Sequence, residues 1–317
     1  MARGPPRKGS PMRVHPAAGR GALARRIALL LSLIVAMCAL LAPSTSLAGS
    51  SHAKSHKTAH SKKHKKHKKH KHHKKSGGSK SSALKSHGVK LAILHANQSN
   101  NWFGYNQGAL ESGKSMFTSI TGDWTVPTAS QHTSGQDESS SDWIGIGGGC
   151  MNTSCTATDP TLIQTGTEQD VTGGKPSYSA WYELIPLPSI SISMTVAPGD
   201  HMHAAISQVV PGLWSITLND VTRGENYSTT VPYASTEGSA EWIEETPLVL
   251  GTNAGFAALP NLSKVPFTNA TANGAAANLQ PSEEMNLVDS NGNVIGAPSA
   301  PLSSTSFDDC AWASSCS

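Results

Sequence analysis

Apolar and polar side chains alternate with period two at short intervals through the C-terminal two-thirds of the chain. Ile190-Ser191-Ile192-Ser193-Met194-Thr195-Val196 alternates over seven positions, and Leu213-Trp214-Ser215-Ile216-Thr217-Leu218 over six. Successive side chains of a strand point to opposite faces, so each run predicts a strand with one buried face. Met285-Asn286-Leu287-Val288 and Val294-Ile295 flank Asp289-Ser290-Asn291-Gly292-Asn293. Asn-Gly between two apolar runs predicts a tight hairpin. Lys90-Leu91-Ala92-Ile93-Leu94 is a further short strand or a remnant of a pro-segment. Helix-period segments are scarce, and Gly, Ser, Thr and Pro fill the gaps. The pattern predicts an all-β fold, an antiparallel β-sandwich of two packed sheets.

The N-terminal third has a different chemistry. Arg3, Arg7, Lys8, Arg13, Arg20, Arg25 and Arg26 precede an apolar run from Ile27 to Ala42, which ends near Ser46-Leu47-Ala48. A basic leader, a short apolar core and small residues at a cleavage point predict a secretory signal peptide over 1–48. Residues 51–80 hold eight His, twelve Lys and no acid. Such a tract repels itself and has nothing to bury, so 49–95 is expected to be a disordered linker or pro-segment. The folded domain is expected over 96–317.

Charge divides the chain the same way. All 21 acidic residues lie beyond residue 110, whereas only five basic residues follow Gly88. The net charge of +4 therefore conceals an acidic domain behind a basic tail. Few cations remain to repel one another once the carboxylates are protonated, a balance that suits acid conditions. Cys150, Cys155, Cys310 and Cys316 follow the signal, and an even count in a secreted chain favours disulfides. Of three connectivities, the local pairs Cys150–Cys155 and Cys310–Cys316 are preferred. A metal reading lacks a CxxC pair.

Six short motifs occur in order: Asn101-Trp102-Phe103-Gly104, Trp124-Thr125-Val126-Pro127, Trp143-Ile144-Gly145-Ile146, Ile163-Gln164-Thr165-Gly166, Ala180-Trp181-Tyr182-Glu183 and Ala240-Glu241-Trp242. Each is weak alone. In this order they resemble the glutamic peptidases, the eqolisins or peptidase family G1. The resemblance implies a concanavalin-like or jelly-roll type of sandwich and a metal-independent acid endopeptidase acting on polypeptides without a cofactor. It implies that Glu241 is the general base for water and then the acid for the leaving amine, and that Gln164 stabilises the oxyanion. Trp102, Gly104, Trp143 and Gly166 would line the substrate cleft, with Glu168 and Glu183 as acidic neighbours. The chemistry is consistent: a carboxylate with a reference pKa of about 4.3 can activate water at acid pH, and a neutral amide keeps its donors there. The chain departs from the family in having Gly147-Gly148-Gly149 where an Asp is common, and in a longer, Cys-bearing stretch between Trp143 and Gln164.

Other chemistries find less support. There is no Gly-x-Ser-x-Gly elbow, no His-Glu-x-x-His and no Asp-Thr-Gly or Asp-Ser-Gly. His201-Met202-His203 puts two imidazoles on one strand face, but no acidic partner is evident, so they read as surface residues. Glu244 and Glu245 read as a solvated strand face. The alternative function is a non-catalytic sandwich that binds glycans or cell-surface polymers through aromatic platforms, for which seven Trp are available. A carboxylate-pair glycosidase would need a second placed acid near Glu241. The His/Lys tract could hold the protein to anionic cell-surface polymers. No nucleic-acid partner is expected, a monomer is expected, and the location is extracellular.

Overall fold

The computed structural model describes residues 85–86, 93–111, 113–250 and 254–317. The signal-peptide reading and the His/Lys tract lie outside the described residues. All described residues belong to one compact unit.

Fourteen strands build the domain. They are β1 (Trp102–Gly108), β2 (Ser119–Thr125), β3 (Glu138–Gly147), β4 (Leu162–Thr172) and β5 (Lys175–Leu184). Then come β6 (Ile190–Ile192), β7 (His201–Val210), β8 (Leu213–Asp220), β9 (Glu225–Pro232) and β10 (Ser239–Glu245). The last are β11 (Val265–Ala272), β12 (Glu284–Val288), β13 (Val294–Pro298) and β14 (Phe307–Ala311). Shorter pieces, among them Lys85–Ser86, Ile93–His95 and Leu248–Val249, add to the edges. The one helical element among the described residues is a 3-10 turn at Pro281–Glu283.

One sheet runs β6-β5-β4-β3-β10-β1, all antiparallel. The second runs β9-β8-β7-β2-β11-β14-β13. Strand β12 joins them: Glu284 and Met285 pair with β1, while Leu287 and Val288 pair with β13. The predicted all-β antiparallel sandwich is therefore the observed fold, nearly closed along one side. Between the sheets lies a core that includes Tyr105, Trp124, Ile144, Trp214, Trp242, Phe267 and Phe307. Strand β8 shows the rule behind it: Trp214, Ile216 and Leu218 are buried while the residues between them are part-exposed.

Two sequence expectations are corrected by local geometry. The strand expected over 190–196 stops at Ile192, its last partner on β5 being Ala180. Beyond it the Met194 amide bonds back to the Ile192 carbonyl at 2.9 Å, a tight turn that ends pairing. The expected hairpin at 285–295 forms, with Gly292 at φ +81° in its turn. The expected strand near Lys90 is seen as Ile93–His95, paired with Gln98–Ser99.

Candidate active site

Strands β1, β10, β3, β4 and β5 are adjacent, and their register sets one row of residues abreast. Glu241 pairs with Asn106 on one side and Gly145 on the other. Gly145 pairs with Gln164, and Gln164 with Glu183. Paired residues share a face, so Asn106, Glu241, Gln164 and Glu183 project from the same side, away from the inter-sheet core. Glu241 and Gln164 are two strands apart, about 10 Å between backbones at the usual spacing. The position between them is Gly145, which has no side chain. A Cβ there would come within 2.9 Å of both Leu162 Cδ1 and Trp143 Cζ3 and 3.2 Å of Gln164 Cβ. The two residues singled out from 77 positions apart thus stand on one face with a glycine between them, over which Leu162 and Trp143 pack.

The row lies on an apolar floor. Trp102, Trp143, Leu162, Trp181, Ile243 and Met285 form a cluster on this face. Trp102 meets Trp143 edge-on, with ring centroids 4.9 Å apart. Gly104 pairs with Ile243 and has φ +134°. Gly166 lies between Trp143 and Trp181 in register, and a Cβ on it would strike Trp143 Cβ at 2.6 Å. Both glycines let indoles and backbone approach closely. The structure thus brings Trp102, Gly104, Trp143 and Gly166 to the face that carries Gln164 and Glu241.

The electrostatics of the row follow from burial. Gln164 Nε2 donates to Glu183 Oε2 at 2.9 Å, which fixes the amide's orientation. Neither oxygen of Glu241 has a well-formed hydrogen bond among the described residues, although the side chain is fully buried. Burial raises its pKa well above the ordinary carboxylate value, the Asp159 charge adds to this, and the Ser239 hydroxyl and Gly149 amide oppose it. A buried carboxylate without good partners is costly, which makes Glu241 a candidate for chemistry.

Glu168 and Glu183 lie on this face too, and both meet the short strand Lys85–Ser86. Lys85 and Ser86 are extended and pair with Val249 and Leu248. Ser86 Oγ donates to Glu183 Oε1 at 2.9 Å. Lys85 Nζ lies 2.6 Å from Glu168 Oε1, 3.1 Å from Ser139 Oγ, and bonds Asp170. A short piece of the chain therefore lies along the face of the row, next to Glu183 and so next to Gln164.

Several expectations require correction. Glu244 and Glu245 are not solvated: both are fully buried, because each face of β10 is covered. Glu245 points to the site face and accepts from Trp143 Nε1 at 2.9 Å. Its pKa is raised well above the ordinary value by burial, then by the Glu183 charge. His201 and His203 do have an acidic partner. His203 Nδ1 is 2.5 Å from Asp123 Oδ1 and His201 Nε2 is 3.5 Å from Asp123 Oδ2, in a register between β7 and β2 that the sequence could not reveal. The aromatic-platform reading loses its basis, since six of the seven Trp are fully buried. The seventh, Trp312, stacks on His132 at 3.6 Å. Cys150–Cys155 and Cys310–Cys316 are bonded as expected. Sequence reasoning missed Asn106, Gly145, Asp159 and Lys85. Only Gly145 carried a signal, inside the Trp-Ile-Gly-Ile motif.

Comparison with known proteins gives a consistent result. The model of the Peptidase A4 family matches residues 100–308. Aspergillopepsin-2 of Aspergillus niger is 27% identical over 241 residues, covering 69% of this chain and 79% of the relative. Among solved structures, scytalido-glutamic peptidase with a peptide-based transition state analog superposes with a TM-score of 0.53 at 21% identity, over 67% of this chain and 98% of that one. SCP-B, a member of the eqolisin family in complex with the tripeptide Ala-Ile-His, does so with a TM-score of 0.50 at 20% identity, over the same shares. At these identities the structural likeness speaks for the fold.

Proposed function

Since the chain belongs to the Peptidase A4 family and is a glutamic peptidase, we propose that Glu241 and Gln164 are its catalytic dyad and that it is a secreted acid endopeptidase. The observation that carries this reading is the shared row: a buried carboxylate without good partners and an oriented carboxamide, separated by a glycine. In its ionised form Glu241 takes a proton from water as the water attacks the scissile carbonyl, and the rise in its pKa on burial favours holding that proton until it is returned to the leaving amine. The Gln164 amide donates to the oxyanion that forms, and Glu183 holds that amide in place. Trp102, Trp143 and the close-packed Gly104 and Gly166 form the floor on which an extended peptide lies. Extracellular location is supported by the two disulfides, which persist in oxidising compartments.

Both dyad members are closed off from solvent. We attribute part of this closure to the pro-segment, whose Lys85–Ser86 pairs as a strand over the same face. An extended segment on this face also traces a path that a peptide could follow. Glu168 and Asp170 hold Lys85 as carboxylates, so their protonation weakens the contact as pH falls. Asp170 has its pKa raised by burial and by the Glu168 charge, which brings that release toward milder acidity.

The test is hydrolysis of casein or haemoglobin at acid pH with chelator present. Glu241→Gln and Gln164→Ala should each lose activity while remaining folded. Full activity in both would refute the assignment.

A further inference from the structure

We infer that the disulfide loop from Gly149 to Asp159 is a positioning element for Glu241, with Asn106 as its anchor. The inference rests on the assignment of Glu241 as general base and adds what holds that carboxylate in place.

Asn106 stands beside Glu241 in the row, on the neighbouring strand. It is buried and binds one loop residue twice: Cys150 N donates to Asn106 Oδ1 at 2.6 Å, and Asn106 Nδ2 donates to the Cys150 carbonyl at 2.9 Å. This reciprocal pair presses the preceding residue onto the carboxylate. A Cβ on Gly149 would lie 2.5 Å from Glu241 Oε1 and would also collide with Asn106 Oδ1, so the contact exists only because residue 149 is glycine. The Gly149 amide donates to Ser239 Oγ at 3.1 Å, two residues before Glu241.

The far end of the loop is tied to the same strand. Asp159 N donates to the Gly149 carbonyl at 2.9 Å. The buried Asp159 carboxylate accepts from Gly238 N at 2.5 Å, from Thr161 N at 2.8 Å and from Thr236 Oγ1. The Cys150–Cys155 bond closes the turn between these anchors, with Met151 N bonded to the Ala157 carbonyl at 2.8 Å. The loop is thus fixed at one end to β1 beside Glu241 and at the other to the residues that lead into β10, and its Gly149 backbone lies against the carboxylate. A general base held to a fraction of an ångström transfers protons far better than a loose one. The same contact keeps water away, and that desolvation is the largest influence on the proton affinity of Glu241.

Two variants loosen the loop by unrelated routes. Asn106→Ala removes both bonds to Cys150 and keeps the disulfide. The double variant Cys150→Ser/Cys155→Ser removes the crosslink and keeps Asn106. For each, kcat, KM and the pH profile of kcat/KM are measured on one peptide, with circular dichroism as the check of folding. The expected result is a fall in kcat of roughly ten- to a hundredfold with KM little changed. The acid limb of kcat/KM should move to lower pH, because water that reaches Glu241 makes it more acidic. An acid limb that stays in place overturns the inference, whatever happens to kcat, since loss of fold alone scales the profile without moving it. If one variant does not fold, the other decides. Glu241→Gln serves as control: an active Glu241→Gln refutes the dyad, whereas an inactive one beside unmoved limbs refutes only the positioning role.

Discussion

Strand β10 carries carboxylates on both faces, and the two faces use burial in opposite ways. On the site face Glu241 stands beside a glycine and an oriented amide. On the core face Asp142 and Glu244 are direct register partners, and both are fully buried. Asp142 accepts from Thr167 Oγ1 at 3.3 Å, and Glu244 from Gln169 Nε2 at 3.3 Å. Asp309 lies close enough to raise the pKa of Glu244 and has no hydrogen bond on either oxygen among the described residues. Burial pushes Asp142 up to about 6 and holds Glu244 and Asp309 well above the ordinary range. Neighbouring like charges that cannot both ionise share protons instead. On the proposed assignment one face keeps a titrating group for chemistry, and the other keeps a cluster of carboxyls with raised pKa values as part of the core. A raised carboxyl pKa therefore does not by itself identify a catalytic residue. The partners across the strand decide.

The sharpest way to break this contrast is exchange of the charge on each face. Glu241→Gln should reduce kcat/KM by at least about a thousandfold, and Gln164→Ala by about a hundred- to a thousandfold, the range for loss of an oxyanion donor. Glu241→Gln should not lower thermal stability appreciably, whereas Gln164→Ala should lower it by about 1–3 kcal/mol, because it takes a donor from the buried Glu183. If Glu244→Gln abolished hydrolysis and Glu241→Gln did not, the faces would have been assigned the wrong way round.

The core face should answer in stability instead. Groups whose folded pKa is raised above the unfolded value contribute stability that is complete below the unfolded pKa, about 4, and is lost as pH rises through the folded values. For Asp142 that loss runs from about pH 4 to about pH 6. The melting temperature should therefore be highest in acid and fall as pH rises from about 4. Asp309→Asn removes one ionisation, so it should flatten that fall and raise stability near pH 7 by about 1–3 kcal/mol, with little change at pH 3. Thermal melts across pH check this. A wild-type melting temperature that rises toward neutrality would sink it.

Such a division between faces explains what could be read in advance. Strands with one wet face, such as β8, announce themselves by alternation, and the Asn291-Gly292 turn announces its hairpin. Central strands β1, β3 and β10 are buried on both faces, so Glu138-Ser139-Ser140-Ser141-Asp142 shows no alternation although it lies inside a strand. The same double burial is why Glu244 and Glu245 read as solvated. Gln164 and Glu241 were found through the ordered motifs, not through chemistry visible in one dimension. Asn106 and Asp159 act through a loop that folds back across the row. Lys85 reaches acids 83 and 85 positions away. No local pattern encodes either arrangement.

The smallest effect concerns how the site face is closed. Lys85 bridges Glu168 and Asp170, both part-buried, with its own side chain 18% exposed. Pairs of this kind contribute at most about 1 kcal/mol once solvent screening is allowed for. Lys85→Ala in the full chain should therefore raise the initial rate of peptide hydrolysis near pH 5–6 by no more than about fivefold, measured before any self-cleavage accumulates. The gain should vanish at lower pH, where Glu168 and Asp170 are protonated and the wild-type contact is already weak. The core-face variant Asp309→Asn should show no such gain, because Lys85 bonds to Glu168 and Asp170 on the opposite face. Equal initial rates for Lys85→Ala and wild type throughout this range would mean that Lys85–Ser86 rests on the site without closing it.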